Sequence, residues 1–99
     1  MTKSDIIRQV SNGTGLTKVE IEAVLDGIIK SIIESLQKGE RVDLRGFGSF
    51  IVKHHAARDA RNPATREIVQ LEERHIPSFK VSKILRETVN KSMLRKNII

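Results

Sequence analysis

The chain has no cysteine, no tryptophan and no tyrosine, and only three phenylalanines and two prolines. Without cysteine there is no disulfide framework and no thiolate metal centre. No apolar run reaches the ~18 residues of a membrane-spanning helix. The opening Met1-Thr2-Lys3-Ser4-Asp5 lacks the apolar stretch of a secretory signal, so an intracellular, cytoplasmic protein is expected. Aromatics are too few for a platform of stacked bases. What is abundant is aliphatic: Leu, Ile, Val and Phe together make 31 of 99 residues. That exceeds the roughly 20% below which chains tend to stay disordered, so a core can form. The length allows one small domain. Domains of this size are marginal alone, and with no staple in the sequence an oligomer is the first expectation.

Charge is unevenly placed. Residues 1–45 carry seven basic and seven acidic side chains, and residues 46–99 carry eleven and five. The whole net charge of +6 therefore lies in the second half. One-sided basic charge attracts a polyanion, and nucleic acid is favoured over a charge that merely aids solubility.

Residues 2–12 read as a short helix with Thr2 as cap, Asp5 completing a weak capping box, and Ile6, Ile7 and Val10 on one face, ended by Asn12-Gly13. Thr17 and Glu20 have capping-box spacing for a second helix. Its stripe, Val24, Leu25, Ile28, Ile29, Ile32, Ile33 and Leu36, keeps the three-and-four spacing of a buried face. Lys38-Gly39 marks its end. A helix-turn-helix DNA reader is disfavoured, because the second helix leans acidic through Glu20, Glu22, Asp26 and Glu34. The pair reads as scaffold and dimerisation layer.

From Arg41 the period becomes two, with Val42 and Leu44 alternating with charged residues and Phe50 and Val52 continuing after a Gly46-Phe47-Gly48 turn. The glycines are not a dinucleotide fingerprint, since Ile51 stands where a third would be needed. Residues 53–61 offer almost nothing large to bury, Asn62-Pro63-Ala64-Thr65 signals a turn, and Glu67–Glu72 returns as a modest strand. This is a projecting hairpin or a long surface loop; composition leaves both open. Ile76–Phe79 is a short extended piece, and Ser82 caps a final helix carrying Val81, Ile84, Leu85, Thr88 and Val89. The tail 91–99 extends that helix or frays.

Gly46-Phe47-Gly48-Ser49-Phe50, Arg58 and Arg61-Asn62-Pro63-Ala64-Thr65, with Val42–Arg45 before and Ile76–Lys80 and Ser82-Lys83 after, resemble the signature of the HU / integration host factor family of bacterial histone-like proteins. The resemblance spans residues 1–90 as a single DNA-bending domain, with the arm at approximately 53–75 and a C-terminal tail at 91–99. It implies an α+β fold: an intertwined dimer with an N-terminal helical hairpin, a three-stranded antiparallel sheet bearing a long β-arm, and a C-terminal helix. The partner it implies is double-stranded DNA, preferably bent, nicked or flexible, bound largely without sequence preference and associated with the nucleoid. A homodimer is expected, with a heterodimer as the other possibility, and no cofactor, metal or membrane.

Carried over by position, Pro63 is the intercalating wedge. Arg58, Arg61, Asn62, Thr65 and Arg66 form the minor-groove arm. Lys3, Lys53, His55, Lys80, Lys83 and Arg86 are the phosphate contacts. Ile28, Ile29, Ile32, Leu36, Leu44, Phe47, Phe50 and Phe79 fall in the core of the dimer. The chain departs from the family at His55, where a longer basic or polar residue is usual, at Ala60 and Arg66, where glycine is common, and at Val81-Ser82, where Pro-Gly is frequent. Plain alternation puts Arg58 and Arg61 on opposite faces, so twist or a bulge is needed for both to meet one groove.

Competing classes fare worse. His54 and His55 are strand neighbours pointing to opposite faces, no two histidines have the spacing of zinc-binding helices, and no carboxylate–lysine nuclease spacing occurs, which argues against an enzyme. A helical interaction module would leave the basic half unused. A subunit specific for one DNA site and a binder of RNA or structured nucleic acid remain as alternatives.

Overall fold

The computed structural model describes residues 1–97, which fall into two compact units, 1–34 and the remainder from Ser35. The first holds α1 (Lys3–Thr14) and most of α2 (Lys18–Gln37). Thr2 caps α1 with a complete capping box. Its hydroxyl accepts from the Asp5 amide at 3.3 Å, while the Asp5 carboxylate accepts from the Thr2 amide at 2.8 Å. The helix runs past Asn12-Gly13 and stops at Gly15, whose φ of 79° is the left-handed closure that glycine supplies cheaply. The expected stop was thus one glycine early: Gly13 keeps helical geometry. At the start of α2, the Thr17 hydroxyl accepts from the Glu20 amide and donates to the Glu20 carboxylate. Ile7 and Ile21 are buried.

The second unit holds the end of α2, closed at Gly39, then five strands and a helix. The strands β1 (Val42–Leu44), β2 (Gly48–His55) and β5 (Arg74–Val81) make an antiparallel sheet in the order β1-β2-β5. The strands β3 (Arg58–Arg61) and β4 (Ile68–Leu71) make a separate two-stranded hairpin. The turn from β1 to β2 is closed by the Phe47 amide donating to the Leu44 carbonyl at 2.9 Å, with Gly46 at φ 85°.

β5 is longer than the short piece expected, because the alternation of Ile76 and Ser78 extends back to Arg74 and on to Val81. Val81 is therefore the last residue of this strand, paired with Gly48, and not part of the final helix. That helix, α3 (Lys83–Asn97), starts where the Ser82 hydroxyl accepts from the Leu85 amide at 3.1 Å. It takes in the tail through Asn97; the expectation for positions 98 and 99 lies outside the described residues.

Register sorts the sheet into two faces. Pairing Val42 with Phe50, Leu44 with Gly48, Phe50 with Phe79, Val52 with Pro77 and Gly48 with Val81 gathers most of the apolar side chains, all but Ile51 and Ile76, on one side. Phe79 lies 5.1 Å from Phe47 and 5.0 Å from Phe50, ring centre to ring centre. These rings are not closed off: Phe47 is 48% exposed and Phe79 43%.

Candidate nucleic-acid interface

The other face of the sheet is basic. Alternation places Lys53, His55, Arg74 and Lys80 there, with Ser49, Ile51, Ile76 and Ser78 between them. Asp43 is the acidic residue on this side. Its carboxyl is held below the usual aspartate range, first by the Ser49 hydroxyl and then by the Arg41 guanidinium, whose Nε donates to it at 3.0 Å. Beside Lys80 a shallow cleft is lined by Arg41, Arg45, Val81 and Ser82. Arg41, Arg45 and Arg74 were not among the expected contacts. Arg74 could have been found by carrying the alternation of β5 two residues upstream from Ile76.

The hairpin continues the ribbon of β2 and β5 without a shift. His55 pairs with Arg74 and Arg58 with Leu71, leaving two residues on each strand between the ladders: Ala56-Ala57 and Glu72-Glu73. Within the hairpin the pairs Arg58–Leu71, Asp59–Gln70, Ala60–Val69 and Arg61–Ile68 follow one another, so there is no bulge. Within the hairpin Arg61 shares one side with Asp59, and Arg58 falls on the other with Ala60.

At the tip, the Arg66 amide donates to the Asn62 carbonyl at 2.7 Å and the Asn62 amide to the Glu67 carbonyl at 2.9 Å. The Asn62 side-chain oxygen accepts from the Ala64 amide at 2.9 Å, an Asx turn that wraps around Pro63. Proline has no amide to satisfy and its fixed φ suits the first position of this turn. Thr65 caps the descending strand, its hydroxyl accepting from Glu67 at 3.4 Å. Pro63, Arg58, Arg61, Asn62, Thr65 and Arg66 are all exposed.

The remaining expected contacts are scattered. Lys83 opens α3 and lies 4.0 Å from Glu87, and Arg86 follows it along a shallow groove that also includes Asn90. Lys3 belongs to the first unit, where its ammonium lies 2.6 Å from Asp26. That hydrogen bond raises its pKa and offsets its charge. Among the residues expected at the dimer core, Ile28, Ile29, Leu44, Phe47 and Phe79 are exposed in the single chain, while Ile32, Leu36 and Phe50 are half-buried.

Residues 1–90 match the family model described as bacterial DNA-binding protein. The chain is 45% identical over 94 residues to integration host factor subunit beta of Marinobacter nauticus, covering 94% of this chain and 96% of that one. It is 44% identical over 89 residues to the DNA-binding protein HU of Thermotoga maritima, covering 90% and 99%. A solved structure, the Anabaena HU–DNA cocrystal, matches with a TM-score of 0.79 at 36% identity, over 90% of this chain and 97% of that one. With two N-terminal helices, an antiparallel sheet extended by a hairpin and a C-terminal helix, the chain belongs to the HU / integration host factor family of bacterial DNA-binding proteins.

Proposed function

We propose that this protein is an architectural, non-enzymatic binder of double-stranded DNA that acts as a dimer and bends the duplex. The observation that carries the reading is the division of the sheet into an apolar face and a basic one, with the basic face running in register into an exposed hairpin tipped by Pro63. Lys53, His55 and Lys80, with Lys83 and Arg86, hold the sugar-phosphate backbone. Arg58, Arg61, Asn62, Thr65 and Arg66 form the arm that enters the minor groove.

Minor-groove architectural proteins, HU and integration host factor among them, insert apolar wedges that partly unstack a base step. Pro63 is shaped for this because it buries no unpaired amide. Bending costs about 1–6 kcal/mol by elastic estimates and is offset by the added phosphate contacts of a bent duplex. Minor-groove edges separate little beyond A·T from G·C, so nicks, gaps and flexible steps are preferred over a fixed sequence. DNA binding of this kind places the protein with the nucleoid.

The test is energy transfer across an end-labelled duplex through a salt series, wild type beside Pro63→Ala. Affinity falls steeply with salt, because each neutralised phosphate adds about −0.9 to the logarithmic slope. The duplex ends approach only when Pro63 is present. Salt-sensitive binding without approach of the ends makes this a coating protein, and equal affinity for intact and nicked duplex removes the shape preference.

A further inference from the structure

At the root of the arm, the apolar face of the sheet ends in three metal-ligating side chains. His54 on β2 stands directly opposite His75 on β5, and their rings stack with centres 4.7 Å apart. Glu73, in the unpaired gap just before β5, points one carboxylate oxygen at both: it lies 2.7 Å from His54 Nε2 and 3.7 Å from His75 Nε2. The three donor atoms all lie within 4.8 Å of one another. The linear spacing of the histidines hides this group, since 21 positions separate two residues that antiparallel pairing makes neighbours.

We propose that His54, Glu73 and His75 form a binding site for a divalent transition-metal ion of the zinc or cobalt kind. Two imidazoles and one carboxylate suit such ions better than magnesium or calcium, which take oxygen ligands alone. Zinc bonds of about 2.0–2.2 Å to nitrogen and oxygen leave a fourth position for water. Around such an ion the donors stand about 3.3 Å from one another, so the 2.7 Å pair of Glu73 and His54 opens slightly and the wider separations close. All three side chains are exposed, and the shifts required are of about an ångström. Coordination requires the imidazole tautomer that carries its proton on Nδ1, so the Nε2 lone pair of His54 replaces its hydrogen bond to Glu73 with a bond to the metal.

The neighbouring basic side chains turn away from the site. Lys53, His55 and Arg74 alternate to the opposite face. On the same face the neighbouring paired positions are Val52 and Pro77, both uncharged, and the Glu73 carboxylate lies against the two rings. A bound ion ties β2 to β5 exactly where the ladder pauses before the arm. This site is separate from the basic face and does not rest on the DNA-binding reading.

The full-length protein, without DNA, is titrated with Zn2+ by calorimetry and with Co2+ by visible absorption. The wild type takes up one ion per chain. His54→Ala, His75→Ala and Glu73→Gln each weaken Zn2+ binding by more than about tenfold, as loss of a ligand does at least as severely as loss of a ligand's support. His55→Ala, on the other face, leaves it unchanged. Circular dichroism that overlays for all variants assigns the loss to the ligands and not to the fold. The site is refuted if wild type binds no more tightly than the double variant His54→Ala/His75→Ala, or if His55→Ala weakens binding as much as the others.

Discussion

Arg66 has φ 61°, the one non-glycine residue with positive φ among those described. Left-handed backbone costs an L-residue roughly 1–2 kcal/mol, and here the cost is held by the turn in which the Arg66 amide reaches the Asn62 carbonyl. Arg66→Gly removes that strain but adds about 0.5–1 kcal/mol of chain entropy to be lost on folding, so the net gain is at most about 1.5 kcal/mol. The hairpin has few buried contacts, so the gain appears as slower amide exchange at position 66 and not as a higher melting temperature. The same change removes a charge from the tip, and the salt slope of DNA binding becomes shallower by about 0.9 per arm. Gly48 is constrained differently. A Cβ there would lie 2.5 Å from the Lys80 carbonyl oxygen and 2.6 Å from the Phe79 ring. Backbone and a packed ring cannot both yield, so Gly48→Ala lowers stability by about 1–3 kcal/mol in urea unfolding.

At the scale of elements, the helix starts were legible because caps are local. Thr2 with Asp5, Thr17 with Glu20, and Ser82 each act within three or four residues. Helix ends were less so: Asn12-Gly13 and Gly15 offer equally good stops in composition, and only the carbonyl reached by the Gly15 amide, that of Ser11, decides between them. Pairing across strands was least legible. The length of β5, the absence of a bulge between Arg58 and Arg61, and the meeting of His54 with His75 all follow from register, which no single segment contains. Asp5 makes the cap of α1 pH-dependent. Hydrogen bonds from the Thr2 amide and hydroxyl, and then from Arg8, lower its pKa. Its contribution is fully present above the unfolded carboxylate's pKa and is lost as pH falls through the lower folded value. Acid titration followed by circular dichroism therefore shows wild type losing its advantage over Asp5→Asn in that window, with the two alike below it.

For the whole molecule, the governing fact is how little the single chain buries. Ile7 and Ile21 are the buried hydrophobic side chains among the described residues, and both belong to the first unit. Ile28 is 50% exposed, Ile29 42%, and the phenylalanine cluster of the second unit is open to solvent on one side. A helix as rich in β-branched residues as α2 has modest intrinsic propensity and depends on burial of its stripe. Each fully buried aliphatic or aromatic side chain contributes about 1.5–3 kcal/mol, so leaving these exposed forfeits more than the usual margin of a small domain. In the proposed dimer a second copy of the chain covers the stripe and restores that margin, which ties folding to association. The melting temperature then rises with protein concentration, since mass action favours the folded dimer over unfolded monomers. Ile29→Glu places a charge in that interface. It leaves the chain largely unfolded at concentrations where wild type is a folded dimer, as read by sedimentation together with far-ultraviolet circular dichroism. If Ile29→Glu remains a dimer with the wild-type melting temperature, the stripe is not the dimer contact; if it is a folded monomer with a concentration-independent melting temperature, the stripe is the contact but folding does not depend on it. In that monomer a single basic face and arm meet the duplex, which halves the salt slope of DNA binding.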